Sequence, residues 1–193
     1  MRVCVEGNIG AGKSSCLEAV RKALPEVQVF KEPLDEWGDL LDAFYADATA
    51  CALQFSLTVL LGFDVPFAQR TCVVERSPMT CRQVFTQLLL DDGTLSREAW
   101  DLFSAYHDVL GWTPDAIVYI DTPVNTCLER VRCRGRACEA KLDVVQLRRI
   151  EYKYDMMLRG CSVPVVRVDG TLPPEELHAA VINAVRPFLA APS

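Results

Sequence analysis

The sequence predicts an α/β fold: five short parallel strands in one sheet, with helices on both faces. Three observations predict it. Short β-rich runs alternate with helical patterns along the chain. A glycine-rich phosphate-loop pattern stands between the first run and the first helix. The length, 193 residues with half of them hydrophobic and 24% charged, suits one domain over residues 1–193 and would cramp two. No repeat, linker or low-complexity tract interrupts it.

The elements follow in order. Residues 2–6 form a β-rich run, and residues 15–24 read as a helix stopped by Pro25. Residues 27–30 are a second strand. Pro33 biases Glu32 toward extended chain at that strand's end. Residues 37–62 are mostly helix formers, with a break near 47–49. Residues 71–75 are a third strand. Ser77 and Pro78 then open a helix as N-cap and first residue. Asp91-Asp92-Gly93 is a turn, and a helix starting at Ser96 ends near Gly111. Residues 116–120 are a fourth strand and 123–134 a helix. A polar link over 134–140 surrounds Gly135. Residues 141–159 are helical, with Leu147, Ile150, Tyr154 and Met157 at helical spacing. A fifth strand over 163–168 and a helix over 173–189 finish the chain.

Composition excludes several classes. The net charge is −6 and the pI about 5.0, so a basic nucleic-acid-binding surface is not expected. The longest apolar stretch, residues 57–63, falls far short of the ~18 residues of a membrane span. Met1-Arg2 leads straight into the first strand, unlike a signal or transit peptide. Nine cysteines without a C-x-x-C pair, and two histidines, His107 and His178, support zinc poorly. Those cysteines read as small hydrophobes in a reducing compartment, so a soluble, cytoplasmic chain is expected.

Chemistry enters with Gly7-Asn8-Ile9-Gly10-Ala11-Gly12-Lys13-Ser14, a full phosphate-loop match in the strand-to-helix context it requires. The glycines let backbone N–H groups turn toward phosphate oxygens, and the helix N-terminus adds its dipole. Lys13 can reach the β/γ-phosphates and Ser14 can ligate Mg²⁺. The loop points to a nucleoside triphosphate and leaves the acceptor open.

The acceptor must be read from carboxylates and arginines. Glu32 stands beyond the C-terminal end of strand two, the sheet edge where ligands bind in open α/β folds. There it either meets solvent or takes the proton of an uncharged hydroxyl acceptor. Glu75-Arg76-Ser77 ends strand three at the same edge. Arg76 can pair with Glu32, and Glu75 can accept from the waters around Mg²⁺; otherwise both are exposed and Ser77 only caps a helix. Arg130, Arg132, Arg134 and Arg136 form the one dense basic run. Its later members suit a mobile lid over phosphates, whereas Arg130 reads as part of a solvated face with Glu129 and Glu139.

Together these residues resemble the deoxyribonucleoside kinases, the group of cellular deoxynucleoside kinases and herpesvirus-type thymidine kinases. The carrying features are Glu6 to Ser14, Glu32-Pro33-x-x-x-Trp37, Gln54, Glu75-Arg76-Ser77, and the arginine run ending in Glu139, from residue 2 to about 170. The resemblance implies a P-loop NTPase fold of the nucleoside-kinase type, ATP with Mg²⁺ as donor, and a homodimer. It implies Glu32 as general base with Arg76 and Lys13 beside it. Residues 7–14, Ser15 and the lid residues Arg134 and Arg136 would hold ATP. Tyr45 and Glu139 match positions that bind the 3′-hydroxyl, Gln54 the glutamine on the base edge, and Trp37 and Phe85 the aromatics of the base slot. Ser14 and Glu75 would serve the metal.

Two departures stand out. Between Tyr45 and Gln54 the chain is about two residues shorter than the family members compared. The Arg–Asp pair of deoxycytidine- and purine-preferring relatives falls on Leu61 and Cys81. With Leu57, these leave an apolar base pocket that favours thymidine or a broad pyrimidine range. Two alternatives remain: a thymidylate-kinase-like monophosphate kinase, sharing fold, loop and lid, and a non-catalytic nucleotide-binding module. The acceptor consumed separates the first; lack of nucleoside-dependent turnover would mark the second.

Overall fold

A computed structural model describes residues 1–34, 36–63 and 71–189, with the Cys138 side chain left aside. The expected domain of 1–193 therefore includes stretches outside the described residues. Five parallel strands form the sheet: β1 (Arg2–Glu6), β2 (Gln28–Phe30), β3 (Cys72–Glu75), β4 (Ala116–Asp121) and β5 (Val165–Asp169), in the order β2-β3-β1-β4-β5. Parallel neighbours need crossovers, and helices supply them. They are α1 (Lys13–Ala23), α2 (Gly38–Ala46), α3 (Ala48–Leu61), α4 (Pro78–Thr80), α5 (Gln87–Asp91), α6 (Arg97–Leu110), α7 (Val124–Arg134), α8 (Val144–Gly160) and α9 (Pro174–Leu189).

Strand alternation divides the core. Val3, Val5 and Val73 point to the larger cluster, with Cys16, Leu17 and Val20 of α1 and Val181 and Val185 of α9. Cys4, Cys72 and Val74 point the other way, to Leu60, Phe103 and Trp112. Leu17 and Val20 are fully buried, each contributing about 1.5–3 kcal/mol on the hydrophobic scale.

Register positions the functional edge. Val5 pairs with Glu75, so Glu75 ends level with the start of the phosphate loop. Phe30 pairs with Val74, so two residues further on Glu32 and Arg76 emerge side by side. Three caps fall where the sequence places breaks. Asp47 accepts from Ala50 N, Ser77 from Thr80 N, and Ser96 from Ala99 N; each is worth about 1 kcal/mol. Between α4 and α5 the helix widens into a π-helical stretch, Cys81–Thr86. Gly135, left-handed at φ 68°, ends α7, and a 3₁₀ turn, Ala137–Lys141, completes the link expected to serve as a lid.

Candidate active site

The phosphate loop depends on backbone that side chains resist. Gly10 has φ 82°, and a Cβ there would stand 2.4 Å from the Cys127 carbonyl oxygen. Lys13 Nζ donates to Gly7 O at 2.9 Å and Asn8 O at 2.8 Å. Burial, then the nearby Arg76 charge, pushes the Lys13 ammonium down to about 8. Asn8 is buried and ties the loop to α8 by donating to Leu147 O at 2.9 Å. Ser14 Oγ donates to Glu75 Oε1 at 2.8 Å, so the two expected metal residues meet. Their hydroxyl and carboxylate oxygens suit a hard divalent cation. Ser15 Oγ lies 3.1 Å from Gly12 O and 3.2 Å from His178 Nε2.

Beside the loop, Glu32 and Arg76 form a short ion pair with side chains only 6% and 12% exposed. Burial opposes the Arg76 charge, but Glu32, Tyr154 and Glu75 together offset it and hold the guanidinium above its ordinary range. Arg76 is in the left-handed region at φ 63°, a strained conformation for a non-glycine residue. Its neighbour is anchored: Ser77 Oγ donates to the fully buried Glu6 at 2.8 Å. Thr80 and Tyr154 hydroxyls also donate to Glu6, at 2.6 and 3.1 Å. Burial pushes the Glu6 carboxyl up, and these hydroxyls pull it back.

One cavity of about 680 Å³ joins the loop, this pair and the helical wall. Of the sequence-derived residues it gathers Ile9, Gly10, Gly12, Lys13, Ser14, Ser15, Glu32, Trp37, Tyr45, Glu75, Arg76, Cys81, Phe85, Arg134, Arg136 and Glu139. The Arg76 guanidinium lies 4.6 Å from the Phe85 ring centroid. On the arginine-rich link after α7, Arg134 meets Glu139 with Nε to Oε2 at 3.2 Å and Nη2 to Oε1 at 2.7 Å. Arg136 is 3.6 Å from the same carboxylate.

Three expected base-pocket residues are not brought there. Gln54 is exposed, Leu61 is 58% exposed, and Leu57 packs into the smaller core cluster. The reason is helix phase. On α3, Ala48, Phe55, Ser56 and Val59 share the cavity face. Gln54 and Leu61, seven residues apart, share the opposite stripe. Arg130 also differs from its expected solvated place: it donates to Ala11 O at 3.1 Å and Gly170 O at 2.9 Å, bracing the loop.

Phe44 and Phe55 are site residues absent from the sequence reading. Their rings stack at 4.6 Å, and Trp37 meets Phe55 edge-on at 6.2 Å. Ser56 and Thr86 are others, both buried and both lining the cavity. No periodic signal marks them: α3 is apolar on nearly every face, and Phe44 and Thr86 stand on other elements.

A phosphate cradle opening into an aromatic-walled cavity, with a buried carboxylate–arginine pair at the junction, defines a P-loop kinase of small organic substrates. The deoxynucleoside kinase family model matches residues 3–189, and the chain belongs to that family. It is accordingly an ATP-dependent kinase of deoxynucleosides. It is 31% identical over 193 residues to putative kinase protein 143R of invertebrate iridescent virus 6, covering 97% of each chain. It is 32% identical over 203 residues to the thymidine kinase of ictalurid herpesvirus 1, covering 98% of this chain and 89% of that one. The fold matches a deoxyadenosine kinase of M. mycoides, solved with the products dCMP and a flexible dCDP, at a TM-score of 0.84. That match has 19% identity and covers 97% of this chain and all of the other.

Proposed function

We propose that the chain transfers the γ-phosphoryl group of ATP to the 5′-hydroxyl of a pyrimidine deoxynucleoside, thymidine foremost, with Glu32 as general base. The observation that carries this is the buried Glu32–Arg76 pair between the phosphate loop and the aromatic cavity. Glu32 takes the O5′ proton as the O5′–P bond forms and the bond to the ADP oxygen breaks. Lys13, Arg134 and Arg136 offset charge on the phosphoryl oxygens. Tyr45 and Glu139 hold the 3′-hydroxyl, and Trp37 and Phe85 flank the base. Ser14 and Glu75 would hold Mg²⁺ directly and through its waters, and the ion would neutralise phosphate charge.

Glu32 and Glu75 also argue against a monophosphate acceptor, which two carboxylates would repel. The test supplies ATP with thymidine or with thymidine monophosphate. Consumption of thymidine is expected; consumption of the monophosphate alone would overturn the reading.

The functional unit is proposed to be a homodimer. Leu102, Tyr106, Val109 and Leu110 form an exposed apolar stripe on α6, with Val109 80% exposed, and a second copy would cover it. Val109→Glu should then convert a sedimenting dimer to monomer. No helix among the described residues is long and apolar enough to cross a membrane. Free thiols such as Cys4, Cys72 and Cys133 suit a reducing, cytoplasmic setting.

A further inference from the structure

The base end of the cavity holds a small polar patch that the motifs do not announce. Ser56 reaches it from α3, and Cys81 and Thr86 from the π-helical stretch. All three are buried, at 4%, 3% and 1% exposure. All three line the one cavity, and Cys81 bridges them: its Sγ is 3.8 Å from the Ser56 backbone carbonyl oxygen and 3.9 Å from Thr86 Oγ1. The Thr86 hydroxyl thus has only a long contact to sulfur, the Ser56 contact engages its main chain, and no strong hydrogen bond ties either hydroxyl among the described residues. A hydroxyl that lines the cavity and is spent on no strong internal hydrogen bond is available to a ligand.

Ser56 is two positions beyond Gln54. The apparent two-residue shortening between Tyr45 and Gln54 disappears when Ser56 is taken as the α3 residue that meets the base. The side chain there is then a hydroxyl where the resemblance implies an amide. Burial holds the Cys81 thiol up at about 12, so no charge stands where relatives carry an acid.

Building on the proposed kinase reading, we infer that Ser56 and Thr86, grouped around Cys81, read the base edge, and that they admit cytosine as well as thymine. Thymine offers an acceptor at O4 and a donor at N3–H. Cytosine offers a donor at its N4 amino group and an acceptor at N3. A carboxylate only accepts, and so selects one pattern. A hydroxyl donates and accepts, and rotates to suit either base. Selectivity built on unpaired polar groups is therefore weak here. Gln54, on the outer stripe of α3, takes no part.

The experiment measures kcat/KM for thymidine and deoxycytidine at saturating ATP, together with nucleoside Kd from quenching of the cavity-lining Trp37. The proteins are the intact chain, Ser56→Ala, Thr86→Val and Gln54→Ala. The wild-type preference between the two bases should stay below about thirtyfold. Ser56→Ala and Thr86→Val should each weaken both nucleosides by about tenfold. Gln54→Ala should change neither by more than twofold. A preference above thirtyfold, a tenfold loss in Gln54→Ala, or no loss in both hydroxyl variants would overturn the inference. If no deoxynucleoside is turned over, the kinase reading fails, and the Kd values still decide the base-edge inference by the same ratios.

Discussion

The two ends of the cavity are built differently. At the phosphate end, Lys13, Ser14, Glu75, Glu32 and Arg76 all follow strand ends or the loop between β1 and α1, and each is held by a direct hydrogen bond or ion pair. At the base end, Leu41, Phe44, Phe55, Val59, Cys81 and Phe85 stand on helices and meet mainly through apolar and aromatic contact. Strand register fixes the first set in one step from backbone pairing. Helix phase fixes the second, and a shift of one residue turns a side chain by about 100°. The phosphate end should therefore fail sharply in chemistry when altered, and the base end should give graded changes in affinity and stability.

The largest effect should come from Glu32→Gln. It keeps the shape and removes the base, so kcat should fall at least about a hundredfold with little change in nucleoside KM. Steady-state kinetics over both substrates checks this. Near-normal kcat would remove the contrast between the two ends. Next comes Gly10→Ala. The added Cβ meets backbone at 2.4 Å in a left-handed conformation, so the loop must move. The strain is about 1–3 kcal/mol. ATP KM should rise about tenfold, and the melting temperature should drop, as read by calorimetry.

A pH profile sharpens the same contrast. The Lys13 ammonium is the form that meets phosphate, and its pKa lies near 8 rather than 10.5. It loses its proton as pH rises through 8, so kcat/KM for ATP should fall up to about tenfold per pH unit above that point. The nucleoside Kd in the absence of ATP should stay flat over the same range. Stability carries the opposite sign. Between about 8 and 10.5 the unfolded chain holds the proton and the folded one does not, so this lysine's contribution to stability rises with pH.

How much was legible follows from the same division. The five strands, the break at Asp47, the Ser77 cap and the meeting of Glu32 with Arg76 were all readable, because caps, prolines and parallel register are local rules. Gln54 stands outside the cavity lining for a physical reason. α3 is apolar almost all round, from Ala48 through Leu61, so periodicity does not mark which face meets the cavity. Its one exposed glutamine then attracts the motif. The π-helical stretch is equally silent in sequence, yet it brings Cys81, Phe85 and Thr86 to one side. Arg130 leaves the solvated face its charge pattern predicts because its partners are the backbone carbonyls of Ala11 and Gly170, 119 and 40 residues away.

Leu57 gives the smallest functional effect and the cleanest separation of packing from recognition. The resemblance places it against the base, whereas the structure packs it with Cys4, Leu60, Phe103 and Trp112 beneath the sheet. Leu57→Ala removes apolar contact from a partly buried site, so it should destabilise folding by about 1–3 kcal/mol, read by urea unfolding. Nucleoside KM and the thymidine-to-deoxycytidine ratio should each stay within twofold, because no cavity atom is lost. A changed ratio at unchanged stability would return Leu57 to the base wall, and with it the helix phase that places Ser56 there.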